Sequence, residues 1–383
     1  MTNTTAIAVD AIRTIYDFWQ VDADRAQWVG DPSPSGLLRQ GYGFDWWPGD
    51  FKIQVRASGP HPELDVPVYR LNVRTDFLRD VDVTTQEFKR ILSGFNQGVP
   101  TFAICTYPSI LPQAFAKYGS LSDFGVDLKS SIVWLSSAGY VHEGTRDWLP
   151  HFLARIAMLQ QIHAQFAANP VAGFLGGRAD CSTPSGRGSP TSLADFFKVE
   201  KFQVIPQGQQ PSKWIGTGEF EEIAVDWHCS DFAYSEAFDG GISIETPFGD
   251  TTAVIGLLAN MPHGRLGHGL YVILKLPYLD KPEAIHALSI EMNFIEDRIW
   301  SKPGMQFVGN WCAEEWRTRD EPGFGPVFNC FIPNVFYQYG LAKILVIDAL
   351  ERARMFREIL RPGAVDLSMH EIHKRRLGQN GSR

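Results

Sequence analysis

Residues 47–55 read WPGDFKIQV and residues 247–255 read PFGDTTAVI. Gly-Asp twice introduces a run of strand-forming residues, and the surrounding punctuation repeats as well. In the first half FKIQVRAS is followed by a turn with Pro60-His61, and Tyr69 opens YRLNVRTDF. In the second half TTAVIGLLA is followed by a turn with Pro262-His263, and Tyr271 lies in LYVILKLPY. Alternating or apolar runs bounded by Gly and Pro read as strands. A further strand precedes each set, LLRQGYGFDW (37–46) and GGISIETPF (240–248).

The parallel continues through the helices. TTQEFKRILSGFN (84–96) and KPEAIHALSIEMN (281–293) each read as one short helix containing Leu-Ser and ending near Asn96 or Asn293. Thr84 is placed as an N-cap with Glu87 three residues on, and Pro282 suits a first turn. Strands TFAICTY (101–107) and QFVGNWCAEEW (306–316) follow, with Cys105 and Cys312 in comparable places, then SIVWLSS (131–137) and PVFNCFI (326–332). Each half closes on a long amphipathic helix, near 147–166 and 339–360. One dipeptide match means nothing, whereas an ordered series predicts an α+β unit written twice. The expected divisions are a first copy over 1–171, a linker rich in Gly, Ser, Thr and Pro over 172–192, a second copy over 193–367 and a basic tail over 368–383. The stretch 219–239 has no clear assignment.

The order α-β-β-β-α-β-β-α in each copy resembles the type III secretion chaperone-like fold, through element order alone. That resemblance implies antiparallel sheets, copies related by a pseudo-twofold axis, and binding of extended segments of partner proteins. The chain departs from small secretion chaperones in its length, its linker and its aromatic richness.

Composition narrows the function classes. Of 383 residues 44% are hydrophobic, 13% aromatic and 20% charged, enough for a large core and for aromatic contact surfaces. A net charge of -8 argues against nucleic acid as a partner. No uncharged apolar run long enough to insert in a membrane is found, and the first 19 residues, with Asp10, Arg13 and Asp17, do not read as a signal peptide. Five cysteines with no CxxC pair suit a reducing cytoplasm better than a disulfide framework.

No motif names a reaction, and no cofactor or metal is expected. DWHCSD (226–231) sets His228 beside Cys229, but neighbours on a strand face opposite ways. WCAEEW (311–316) holds Glu314 and Glu315, PHGRLGHG (262–269) holds His263 and His268, and HEIH (370–373) lacks zinc-protease spacing. In FDWWPGDF (44–51) one of Trp46 and Trp47 belongs to the core and the other to the second sheet face. The sequence reading is therefore a non-enzymatic, cytoplasmic module that binds a protein or peptide through its open sheet faces and the groove between copies. Its expected anchors are Trp46 or Trp47 and Trp311 or Trp316. The alternative is an enzyme or small-molecule binder with its site in the inter-domain cleft. That alternative expects several of Asp226, His228, Cys229, His263 and Glu314 to meet in one pocket.

Overall fold

The computed structural model describes residues 5–39, 41–60, 66–106, 132–182, 211–228, 234–249, 251–263, 266–277, 282–299, 308–317 and 322–359. Within them the first half runs α1 (Ala6–Trp19), β1 (Ala26–Gly30), α2 (Pro34–Arg39), β2 (Tyr42–Trp46), β3 (Ile53–Ser58), β4 (Tyr69–Arg79), α3 (Gln86–Gln97), β5 (Ala103–Thr106), β6 (Val133–Val141), α4 (Leu149–Leu175) and β7 (Arg178–Ala179). The second runs α5 (Glu219–His228), β8 (Tyr234–Phe238), β9 (Gly241–Phe248), β10 (Thr251–Leu258), β11 (Gly269–Lys275), α6 (Pro282–Phe294), a π-helical turn (Ile295–Ile299), β12 (Gly309–Arg317), β13 (Pro322–Pro333) and α7 (Leu341–Ile359).

This is an α+β fold with two antiparallel sheets, and the sheets follow one path. The first is ordered β1-β2-β3-β4-β6-β5, with β7 added on β4; the second is ordered β8-β9-β10-β11-β13-β12. Taken in chain order, the strands occupy corresponding places. The two Gly-Asp stretches lie in corresponding connections, between β2 and β3 and between β9 and β10. Gly249 turns there at φ 67, a conformation in which a side chain is strained.

Each half has one strand more in its meander than the expected unit, and the first half adds the short β7 as well. The meander has four strands, not three, because β1 and β8 precede it. Both are edge strands without an unbroken apolar pattern, so periodicity gives little sign of them. The unassigned 219–239 contains α5 and β8. The N-cap of α3 is Thr85 rather than Thr84: its side chain accepts from the amide of Phe88. The expected linker begins inside structure. α4 continues to Leu175 through Pro170, and β7 pairs with β4 before the described chain pauses at 182. Proline removes one helical hydrogen bond without ending a helix that packing holds on both sides. Residues 183–192 and the basic tail lie outside the described residues.

Alternation decides the two faces of each sheet. In β4, Tyr69, Leu71 and Val73 are buried beneath α1 and α4, while Arg70, Asn72 and Arg74 point the other way. In β11, Leu270, Val272 and Leu274 are buried beneath α7, while Tyr271, Ile273 and Lys275 point away.

The inner edges are closed by a matched pair of asparagines. Asn96 of α3 accepts from the amide of Ile104 at 2.7 Å and donates to the same residue's carbonyl at 3.4 Å. Asn293 of α6 does likewise for Trp311, at 2.7 and 2.8 Å. Ile104 and Trp311 lie on β5 and β12, the last strands of their sheets. A carboxamide carries both a donor and an acceptor, so it satisfies the two edge groups a further strand would take. Leaving a buried donor or acceptor unpaired costs about 1–3 kcal/mol. Asn293→Ala and Asn96→Ala should each lower stability by roughly 2–5 kcal/mol in urea unfolding, from two groups exposed at once. A loss under about 0.5 kcal/mol would show that water or neighbouring atoms replace the clamp.

Candidate functional site

The halves pack reciprocally. α3 lies on α6 and on β12, and α6 lies on β5. Ser93 of α3 accepts from the amide of Ala313 at 2.9 Å, on the edge that Asn293 also covers. The connection after α3 reaches the second sheet: Asn310 donates to the carbonyls of Val99 and Phe102, at 2.6 and 3.0 Å, and the amide of Phe331 donates to Pro100 at 3.0 Å. The connection after α6 reaches the first sheet. Asp297 of the π-helical turn accepts from Trp134 Nε1 at 3.0 Å, from Asn72 at 3.3 Å and from the Ser136 hydroxyl, with Arg70 at 3.9 Å.

Glu296 and Asp297 are adjacent, yet they serve opposite halves. Glu296 turns into the second core, where Trp311 Nε1 donates to it and Arg352 binds it at 3.0 Å. Arg352 also pairs with Asp348, and its guanidinium stacks 4.1 Å from the ring centre of Phe328. Burial pushes the Glu296 carboxyl up against the pull of Arg352. Burial alone would pull Arg352 down, but Asp348 and Glu296 hold its pKa well above the usual value. A buried pair of this kind fixes geometry more than it adds stability.

A cleft of about 730 Å³ opens between the halves. One wall is the end of α3 and its connection to β5, where Phe95, Val99 and Phe102 supply apolar surface. His163 of α4 sits behind them, with the ring of Phe102 5.5 Å from its own. The other wall is the outward face of the second sheet, with Tyr271, Ile273 and Lys275 on β11, Asn329 on β13 and Glu314 on β12. Met261 and His263 form the rim. His263 is held by a tight turn: it exchanges backbone hydrogen bonds with Gly267, and its Nδ1 accepts from the amide of Leu266 at 3.0 Å. That bond sets the neutral tautomer with the proton on Nε2. Its ring stacks on Phe331 at 4.9 Å. Partial burial raises the pKa of Tyr271, so its hydroxyl is a donor across the physiological range. Among the described residues neither Lys275 nor Glu314 has an ion-pair partner.

Two of the five candidates for an enzyme site, His263 and Glu314, line this cleft. Asp226 is elsewhere, paired with Lys343 at 2.5 Å on the surface. His228 ends α5, and nothing is described of its side chain or of Cys229. Glu315 is exposed, and HEIH lies outside the described residues.

The tryptophan anchors need correction. Trp46 is 5% exposed and Trp311 is fully buried, so neither offers its ring to a partner. Trp311 points inward because its pairing with Phe328 sets it on the helix side, against Phe356. Trp47 is half-buried and donates to Ser182 at 3.1 Å. The Trp316 side chain lies outside the described residues. Among the described residues the exposed tryptophan is Trp28 on edge strand β1, at 44% exposure, stacked between Tyr16 and Tyr42. Sequence reasoning passed over it because β1 itself was not recognised.

Cys105, Cys312 and Cys330 are free and buried, and Cys181 is free and exposed. Burial pushes the Cys105 thiol well up and the thiols of Cys312 and Cys330 to about 12. The thiolate is the reactive form. Brief iodoacetamide treatment of the native protein, read by peptide mass spectrometry, should therefore modify Cys181 and spare these three. Equal labelling of Cys105 or Cys312 would contradict their packing. Compared with protein-family models, with curated proteins and with solved structures, the chain matches none, and the reading of its function rests on the geometry of the cleft.

Proposed function

We propose that this protein is a non-enzymatic module that binds a segment of a partner protein in the cleft between its two halves. The observation that carries the reading is the make-up of the cleft. A largely apolar, aromatic trough runs between a sheet face and a loop, with a few polar groups set into it. Such a trough suits alternate side chains of an extended segment, while isolated polar groups fix its register. The half-exposed Tyr271 and Ile273 take the anchoring part that the buried Trp46 and Trp311 cannot fill.

A second reading, catalysis in the cleft, draws on His263 and Glu314 sharing one lining. Hydrogen bonding of a nucleophile to a base would favour it. Among the described residues no bond joins these two side chains, and Nδ1 of His263 is committed to Leu266.

Peptides selected on the immobilised protein from a random display library provide the test. Replacing the half-exposed pair, Ile273→Asp with Met261→Asp, should weaken the selected peptides by roughly 30-fold or more, since about 1.4 kcal/mol corresponds to tenfold. Far-ultraviolet circular dichroism should remain unchanged. If the peptides bind the double variant as before, the cleft is not the binding site. Turnover of a screened ester or amide library, lost on His263→Ala, would replace the binding reading with the catalytic one.

A further inference from the structure

The two halves treat each other's outward sheet faces unequally. Registers fix which positions correspond. Ile104, held by Asn96, pairs with Leu135, which pairs with Thr75. Trp311, held by Asn293, pairs with Phe328, which pairs with Leu274. Counting from these anchors, Asn72 corresponds to Tyr271, Ser136 to Asn329, and Asp76 to Lys275. The fourth residue after each clamp asparagine is Asp297 in the second half and Pro100 in the first.

On the first sheet the corresponding ground is filled. The Asp297 carboxylate, sent across by the second half, lies on Asn72, Ser136 and Trp134. On the second sheet Pro100 arrives instead. It contributes a backbone carbonyl to Phe331 and no acidic side chain. The chain from Asn96 to Ile104 is short, whereas that from Asn293 to Trp311 is ten residues longer and contains the π-helical turn. The cleft is the room that this shorter connection leaves. Its floor still carries groups suited to an anion: the Tyr271 hydroxyl, the Asn329 carboxamide and, four residues along β11 on the same face, the Lys275 ammonium. The Asn329 amide donates to Cys312 Sγ at 3.1 Å, a weak acceptor that a carboxylate replaces readily.

Resting on the reading of the cleft as a peptide site, we propose that it receives an acidic side chain of the partner segment, carried between apolar residues, in the position that Asp297 occupies on the other half. Lys275 provides the charge, Tyr271 and Asn329 provide directed hydrogen bonds, and Phe95, Phe102 and Ile273 cover the neighbouring apolar groups. Glu314 stands two strands from Lys275 and one row further along the sheet. It repels a second acid and so sets which way the segment lies.

The test uses the full-length protein and two capped heptapeptides, alike except that a central aspartate between isoleucine and phenylalanine in one is asparagine in the other. Fluorescence anisotropy at neutral pH should give at least tenfold tighter binding for the aspartate peptide. Lys275→Met should reduce that preference to twofold or less. Tyr271→Phe should reduce it by about threefold. Equal binding of the two peptides, lost on Ile273→Asp, would overturn the acidic-residue proposal and leave the peptide site intact. Failure of both peptides to bind at millimolar concentration would also overturn it, and the library selection then decides separately on the cleft. Phenylpropionate binding as tightly as the aspartate peptide would replace the peptide with a free carboxylic acid as occupant. A preference for a lysine-bearing twin would make Glu314 the recognising group and overturn the assignment to Lys275.

Discussion

At each inner sheet edge one asparagine side chain takes the place of a strand. An edge strand leaves a row of amides and carbonyls that must find partners, and burial without them is costly. Asn96 and Asn293 supply a donor and an acceptor from a helix, so each sheet ends where the other half begins. The rest follows from that termination. Once α3 and α6 are pinned along β5 and β12, they lie on each other, and the connections that follow them are aimed across the opposing sheet. Ser93 then covers the next amide of β12 from the far side of the interface.

The connections answer a second constraint. A sheet with helices on one face leaves the other to be covered. The first sheet presents Arg70, Asn72 and Arg74 there, a surface that no apolar lid satisfies. Asp297 reaches it with a carboxylate, and Arg74 lies 4.2 Å above the ring of Trp134. The adjacent Glu296 is drawn into the second core by Arg352 and Trp311. A π-helical turn, with its wider spacing, sets these consecutive acids toward opposite halves, and such turns are often kept where a helix does special work. The turn thereby locks one half to the other through both residues.

Much of this plan was legible in the sequence. Punctuation placed the Gly-Asp pairs in one hairpin connection, set Cys105 and Cys312 at corresponding strand positions, and brought Asn96 and Asn293 into parallel before their bonds were known. What the sequence did not reveal has physical causes. β1 and β8 are half-exposed edge strands whose neighbours, not their own patterns, define them. The parallel between Tyr69 and Tyr271 read from the turn spacing is three residues out of structural register, since apolar alternation repeats every two residues and gives no fixed phase over a longer distance. Trp46 and Trp311 were read as candidates for exposure because aromatic residues are equally common in cores and at interfaces. Only pairing partners decide which way a ring points. The cleft was beyond sequence reasoning altogether, because it arises from a difference in length between two connections rather than from any residue motif.

Two copies of one plan need not remain interchangeable. A symmetric pair requires each change to fit twice, whereas fused copies are free to change one at a time. Here the first sheet's outward face is polar and sealed from within the molecule, while the second's is largely apolar and open. Tyr271 stands where Asn72 does, so the carboxamide that donates to Asp297 has no counterpart, and Lys275 stands where the acidic Asp76 does. The two supply in exchange a hydroxyl and an ammonium beside apolar walls. The longer connection of the second half carries Asp297 onto the first sheet, and the shorter connection of the first borders the cleft. One contact between the halves has become structural, and a cleft stands in the place of its counterpart.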